Sequence, residues 1–232
     1  MIRVLRSCTE IGNAIVELQK EECGYHRDAI KNWDLAQVNQ ILKHLRKDAR
    51  ILDMGCQGSN ILAFCGRRGY KECIGIDVHI PFEDRLQQAF TMYRRRSLRP
   101  LYKLIRMDLT RTKFPDSCFD LIVCLSVIEH GVNIDSFLRE SSRILRTDGI
   151  LLVSTDYWEA KVPTDDVKAR FAPRWNIFSK EEINELTSLA RNYGLTMEDY
   201  GIEDVEQPLV QWLGKNYTFI SMMFTRGKSR TR

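Results

Sequence analysis

Residues 51–60 read Ile-Leu-Asp-Met-Gly-Cys-Gln-Gly-Ser-Asn, and Gly75-Ile76-Asp77 follows. The apolar pair Ile51 and Leu52 breaks into a turn holding Gly55 and Gly58. A second apolar run, Cys73 to Ile76, ends on the carboxylate of Asp77. A strand, a tight turn whose bare backbone admits a ligand, and an acid about 20 positions on form the general plan for gripping a nucleoside. Glycine removes the Cβ obstacle, and the carboxylate accepts the ribose hydroxyls.

Around this stretch, from about residue 50, apolar runs alternate with helical stretches, the signature of an α/β sheet with parallel strands. Strands are expected at Arg50–Met54, Cys73–Asp77, Lys103–Asp108, Phe119–Leu125 and Gly149–Thr155. The fourth is almost continuously apolar, as a central strand buried on both faces should be. Asn133 is placed to cap a helix with the stripe Ile134, Phe137, Leu138, Ile144 and Leu145. Ser179 and Glu182 form a capping box for a further helix, which Gly194 ends. Leu35, Val38, Ile41, Leu42 and Leu45 mark an amphipathic helix before the sheet. Residues 1–32 are expected to form a helix and loop over one edge. Residues 156–178 form a long connection leaving the carboxyl end of a strand, where open α/β sheets place their ligands.

The chain has 232 residues, 44% hydrophobic and 28% charged, which suits one soluble domain with a sizeable core. No apolar run approaches the roughly 20 residues of a membrane helix, and the amino terminus lacks the apolar core of a secretory signal. Seven cysteines (Cys8, Cys23, Cys56, Cys65, Cys73, Cys118, Cys124) are scattered without a C-x-x-C pair, which suits a reducing, cytoplasmic setting. The four histidines (His26, His44, His79, His130) are also dispersed, and no metal site is expected. Net charge is +4, with basic clusters at Arg94-Arg95-Arg96, Arg99 and Lys103 and in a tail holding Arg226, Lys228, Arg230 and Arg232. These are either solvated surface or a lure for an anionic acceptor, and no base-reading motif for nucleic acid accompanies them.

Five motifs stand in order: Asp53-Met-Gly55-Cys56-x-Gly58, Gly75-Ile-Asp77, Met107-Asp108, Phe119-Asp120-Leu-Ile-Val and Ser126-Val-Ile-Glu129-His130. Together they resemble the class I methyltransferases dependent on S-adenosylmethionine, over roughly residues 33–225. The resemblance implies a Rossmann-like, seven-stranded, mostly parallel sheet with helices on both faces and an antiparallel last strand. Residues 1–32 would then be an amino-terminal helical cap, 156–178 a substrate-side insertion and 226–232 a basic tail. S-adenosylmethionine is the implied cofactor. Asp53, with Gly55, Cys56 and Gly58, would meet its aminoacyl part, a carboxylate being favourable beside an ammonium. Asp77 would take the ribose hydroxyls and Asp108 the adenine amino group. Val78, Leu109, Leu125 and Ser126 would complete the contacts. The family's usual loop is Asp-x-Gly-x-Gly-x-Gly, whereas Gln57 and Ser59 stand at its later glycines. Either Gln57 tolerates a conformation glycine usually supplies, or the loop is redrawn around Gly58. Glycines for a nicotinamide loop are missing too, since positions 57 and 60 hold Gln57 and Asn60.

Methyl transfer is an in-line displacement, so the protein must align the nucleophile and take its proton. His130, with an ordinary pKa of about 6.5, is the candidate base, and Glu129 would orient it or cap the following helix. Tyr157, Trp158 and Trp175 are candidate walls for the acceptor, and Tyr25 and His26 could close the site from above. The segments Ser154–Trp158, Trp175–Ile183, Pro208–Leu213 and Tyr217–Ile220 resemble methyltransferases found with sugar and surface-polysaccharide biosynthesis. That implies a small-molecule acceptor, with a sugar hydroxyl as the methylated group. Two alternatives stand beside it: an RNA or protein methyltransferase using the basic clusters, and a cofactor-binding partner subunit without activity. Against the first, the Asn/Asp-Pro-Pro-Tyr/Phe sequence typical of base-amine methylation is absent after the fourth strand.

Overall fold

A computed structural model of the chain describes residues 1–21, 26–83, 86, 102–167 and 174–227. Strands run β1 (Ile2–Val4), β2 (Arg50–Met54), β3 (Glu72–Asp77), β4 (Lys103–Arg106), β5 (Phe119–Leu125), β6 (Leu145–Tyr157), β7 (Leu195–Thr196), β8 (Val210–Trp212) and β9 (Lys215–Arg226). Helices are α1 (Cys8–Lys20), α2 (Lys31–His44), α3 (Ile61–Arg67), α4 (Ile134–Ile144) and α5 (Lys180–Asn192), with a 3₁₀ turn at Ile128–His130. The sheet order is β1-β9-β6-β5-β2-β3-β4, with β7 and β8 also paired to β9. Neighbours from β4 to β6 are parallel, and β9 runs antiparallel to β6.

Side-chain alternation explains why helices cover both faces. Ile51, Leu121, Val123 and Leu152 point to one face, where α2 contributes Leu35, Val38 and Leu42 and α3 contributes Leu62 and Phe64. Leu52, Met54, Ile122, Cys124 and Val153 point to the other, against Phe137 and Leu138 of α4 and Ile183 and Leu186 of α5. β5 is therefore buried on both sides, and its one acid, Asp120, is tied down. Asp120 accepts from the Arg50 N–H at 2.7 Å and from Arg146 at 2.8 Å. Both capping expectations hold. Asn133 accepts from the Ser136 N–H, the Ser179–Glu182 box is reciprocal, and Gly194 (φ +73°) follows the last turn of α5.

The α/β architecture is the expected one, but the sheet has nine described strands rather than seven. β1 is three residues long, too short for periodicity to reveal, and it extends the β9 edge through Ile2↔Met222 and Val4↔Ile220. The leading segment thus supplies a strand as well as a helix. β8 forms a two-residue hairpin with β9, and Leu213 (φ +48°) and Gly214 (φ +76°) are both left-handed, as the tight turn requires. β4 stops at Arg106 and β6 extends to Tyr157. The connection beyond β6 folds back beside it through bridges Tyr157↔Phe178 and Val162↔Ile177. Arg94, Arg95, Arg96, Arg99, Lys228, Arg230, Arg232, Tyr25 and Cys23 lie outside the described residues. The six described cysteines are free thiols, and no described helix is long and apolar enough to cross a membrane.

Candidate active site

The turn after β2 is held by its neighbour strand. The N–H groups of Gly55 and Cys56 both donate to the Ile76 carbonyl, at 2.8 and 3.1 Å. Gly55 (φ +81°) and Gly58 (φ +67°) are left-handed, and Gln57 is not. The loop is therefore redrawn around Gly58, and glycine stands where positive φ is needed. Gly55 is constrained twice, since a Cβ there would lie 2.3 Å from a Val127 methyl, whereas one on Gly58 meets nothing within 4 Å. Gly55→Ala should cost about 1–3 kcal/mol and Gly58→Ala nearer 1 kcal/mol, which urea unfolding would resolve. Gly75 is required on the opposing side, because a Cβ there would meet Leu62 at 2.5 Å and Cys56 at 2.8 Å.

Two carboxylates frame this turn. Asp77 closes β3, accepting from Gln57 N–H at 3.2 Å and His79 N–H at 2.9 Å, so its position is fixed by the loop it serves. Asp53 at the end of β2 is 1% exposed and its Oδ2 has no hydrogen-bond partner. Burial drives its carboxyl up to about 7; a bond from Ser59 opposes this and the Asp77 charge adds to it. A buried carboxyl with one unpartnered oxygen, beside a turn of two left-handed glycines, fits a ligand that brings its own ammonium. The donor set thus suits S-adenosylmethionine.

Opposite the turn, a second group converges. Ser126 follows β5 in a left-handed conformation (φ +53°), and its hydroxyl accepts from Lys31 Nζ at 2.5 Å. Lys31 and Asp34 share the first turn of α2, whose entry is pinned by the buried Asn32. The Asn32 side chain accepts from His26 N–H at 2.7 Å and donates to the Ala29 carbonyl at 3.0 Å. Glu129 is 1% exposed, accepts from Thr155 Oγ1 at 3.0 Å, and its backbone carbonyl is held by Asn176 N–H at 2.8 Å. Burial, then the neighbouring Asp156, push the Glu129 carboxyl well up, with Lys31 opposing. Asp156 is driven to about 6 by burial, opposed by a 2.8 Å bond from the Trp175 indole N–H and by Lys31. His130 reaches solvent at the end of the 3₁₀ turn, yet the protein around its ring, with Lys31, holds its pKa below the ordinary value. A neutral imidazole at neutral pH is the form a general base needs.

These two groups share one cavity of about 820 Å³. Of the candidate site residues named from sequence, His26, Asp53, Gly55, Gly58, Leu125, Ser126, Glu129 and His130 line it. Cys56, Asp77, Val78, Asp108 and Leu109 do not. Cys56 is buried under the turn, Val78 is exposed, and Asp108 spends Oδ1 on the Thr110 N–H and hydroxyl at 2.8 and 2.7 Å. The aromatic walls differ too. Tyr157 lies fully in the core, and Trp158 packs beside it. Trp175 acts through its bond to Asp156, while Tyr217, Phe219 and Trp212 of the β8–β9 hairpin form the lining. Lys31, Asp34 and Asp156 are lining residues that sequence reasoning missed. Among the described residues no cluster suited to a metal ion is present.

Residues 52–153 match the family described as a methyltransferase domain. The ubiquinone biosynthesis O-methyltransferase of Pelagibacter ubique is 27% identical over 126 residues, 54% of this chain and 48% of that protein. A probable S-adenosylmethionine-dependent methyltransferase of Mycolicibacterium smegmatis is 29% identical over 167 residues, covering 70% of this chain and 58% of its own. The chain thus spans about half the length of these relatives. In structure, the YcgJ protein of Bacillus subtilis superposes with a TM-score of 0.57 at 17% identity, over 82% of this chain and 98% of that one, a likeness of fold.

Proposed function

We propose, from the premise that this chain carries a class I S-adenosylmethionine-dependent methyltransferase domain, that it methylates a small-molecule acceptor seated between Ser126, His130 and the β8–β9 hairpin. The reading is carried by the shared cavity, which is lined both by Asp53, one oxygen of which has no partner, and by His130, whose pKa is held below the ordinary value. When bound, the cofactor supplies a methyl group made electrophilic by its sulfonium. Asp53 and the Gly55–Gly58 backbone hold the amino acid end, and Asp77 holds the ribose. Asp108 retains Oδ2 for the adenine amino group, its Oδ1 being engaged by Thr110. Val78 and Leu109 would flank the base, and Cys56 supports the turn from beneath.

A ring nitrogen of His130 removes the proton from an acceptor hydroxyl as its oxygen attacks. Glu129, buried and hydrogen-bonded by Thr155, positions the 3₁₀ turn that presents His130. Tyr217 and Phe219 are the described aromatic wall, and they exclude water from the reacting atoms. A sugar or related hydroxylated metabolite fits a cavity of this size lined by polar side chains and by Trp212, Tyr217 and Phe219. Incubating the chain with labelled S-adenosylmethionine and metabolite extracts should yield a product heavier by one methylene. Labelling confined to RNA or protein fractions would replace this reading with a macromolecular acceptor.

A further inference from the structure

We propose that Asp34, Glu129 and Asp156 form a receptor for a positively charged amine on the acceptor, so that the substrate is an amino-bearing metabolite. This rests on the methyltransferase reading and names its substrate class. The three carboxyls come from separate elements, α2, the 3₁₀ turn and the end of β6, and all line the cavity. They are 2%, 1% and 5% exposed. Glu129 and Asp156 each have one protein donor, Thr155 and Trp175. Neither buried Asp34 oxygen receives a well-formed hydrogen bond, and the nearby Ser154 hydroxyl is the one protein group that favours its charged form by hydrogen bonding.

Cation supply on the cavity wall is short. Lys31 is the sole Lys or Arg among the described lining residues, against these three acids, Asp28 and Asp53. Its ammonium already lies 4.2 Å from the centre of the Phe219 ring and bonds Ser126, so the chamber shelters an alkylammonium of its own. One lysine cannot neutralise three buried carboxylates, and buried carboxyls left unpaired hold protons instead. Each of the three is accordingly pushed up, Asp34 mainly by burial and Glu129 and Asp156 by burial and by one another or Asp34. A second ammonium, delivered by the acceptor, would restore the missing charge pairs. A phosphate or carboxylate would find no cation there beyond Lys31. The basic residues 94–99 lie outside the described residues.

Calorimetry on the chain saturated with S-adenosylhomocysteine tests the proposal, using pairs that differ by ammonium for hydroxyl: glucosamine and glucose, tyramine and tyrosol, putrescine and 1,4-butanediol. In at least one pair the amine should bind about tenfold tighter or more, as charge-assisted bonds allow. That preference should fall at least several-fold in Asp34→Asn, or in Asp156→Asn if the first variant does not fold. Retained S-adenosylhomocysteine affinity shows that a variant is folded. Equal binding within every pair, preference for the alcohols, no amine binding at millimolar concentration, or a preference that survives both substitutions would overturn the receptor. Failure of wild type to bind S-adenosylhomocysteine would instead overturn the methyltransferase reading beneath it.

Discussion

His130→Ala is expected to lower kcat by about 10²–10⁴-fold, the range for loss of a positioned general base. Affinity for S-adenosylmethionine should be largely kept, because His130 belongs to the 3₁₀ turn after β5 and not to the Asp53–Gly58 turn proposed to hold the cofactor. The pH profile gives an independent signature. Burial and the Lys31 charge lower the His130 pKa from 6.5, so its neutral, base-competent form dominates at lower pH than for a free histidine. The wild-type rate should rise through a midpoint below 6.5 and be flat at neutrality, and this acidic limb should vanish in the alanine variant. Steady-state kinetics across pH would show it. Full activity in His130→Ala would refute the base assignment, whereas loss of cofactor affinity alone would reassign His130 to cofactor contact.

Asp53→Asn should act in opposite directions on affinity and on stability. Its folded carboxyl titrates near 7 against an ordinary 3.8, so between those values the folded chain holds more protons than the unfolded one. Stability therefore falls as pH rises through that window, and the unfavourable contribution is complete above about 7. Asparagine keeps the shape and cannot ionise, so the unliganded variant should gain on wild type as pH rises, by about 1–3 kcal/mol from pH 4 to pH 8. Thermal unfolding at the two pH values measures that difference directly. Cofactor affinity should fall by about 1.5–3 kcal/mol, since the partner of the incoming ammonium loses its charge. Wild-type affinity in this variant, or a stability difference indifferent to pH, would remove Asp53 from the role.

Strong local chemistry was legible in the residues, and long-range convergence was not. The apolar run of β5 and the caps at Asn133 and Ser179 act over a few residues, so their sequence signatures are complete. The departure at Gln57 also resolves locally: left-handed backbone falls at Gly55 and Gly58 and spares the glutamine. β1 has three residues and pairs with a strand at the far end of the chain, a partnership no periodicity carries. Asp34 lies one residue before Leu35 on the amphipathic face of α2, where a sequence shows an acid in a helix and nothing of its burial. Asp156 read as the start of a connection because β6 runs two residues further than its apolar core. Trp175, expected as a wall, is not among the described lining residues, and its indole N–H instead holds Asp156, which is. Side-chain direction at such positions is a tertiary property.

The central claim is that the turn from Asp53 to Gly58, with Asp77, is a working S-adenosylmethionine site. Calorimetric titration of the cofactor into wild type and into Asp77→Ala tests it most directly. Saturable binding by wild type, weakened in the variant by about 1.5–3 kcal/mol through loss of the ribose acceptor, is the predicted result. No binding by wild type at millimolar cofactor, or identical affinities for the two proteins, would contradict it.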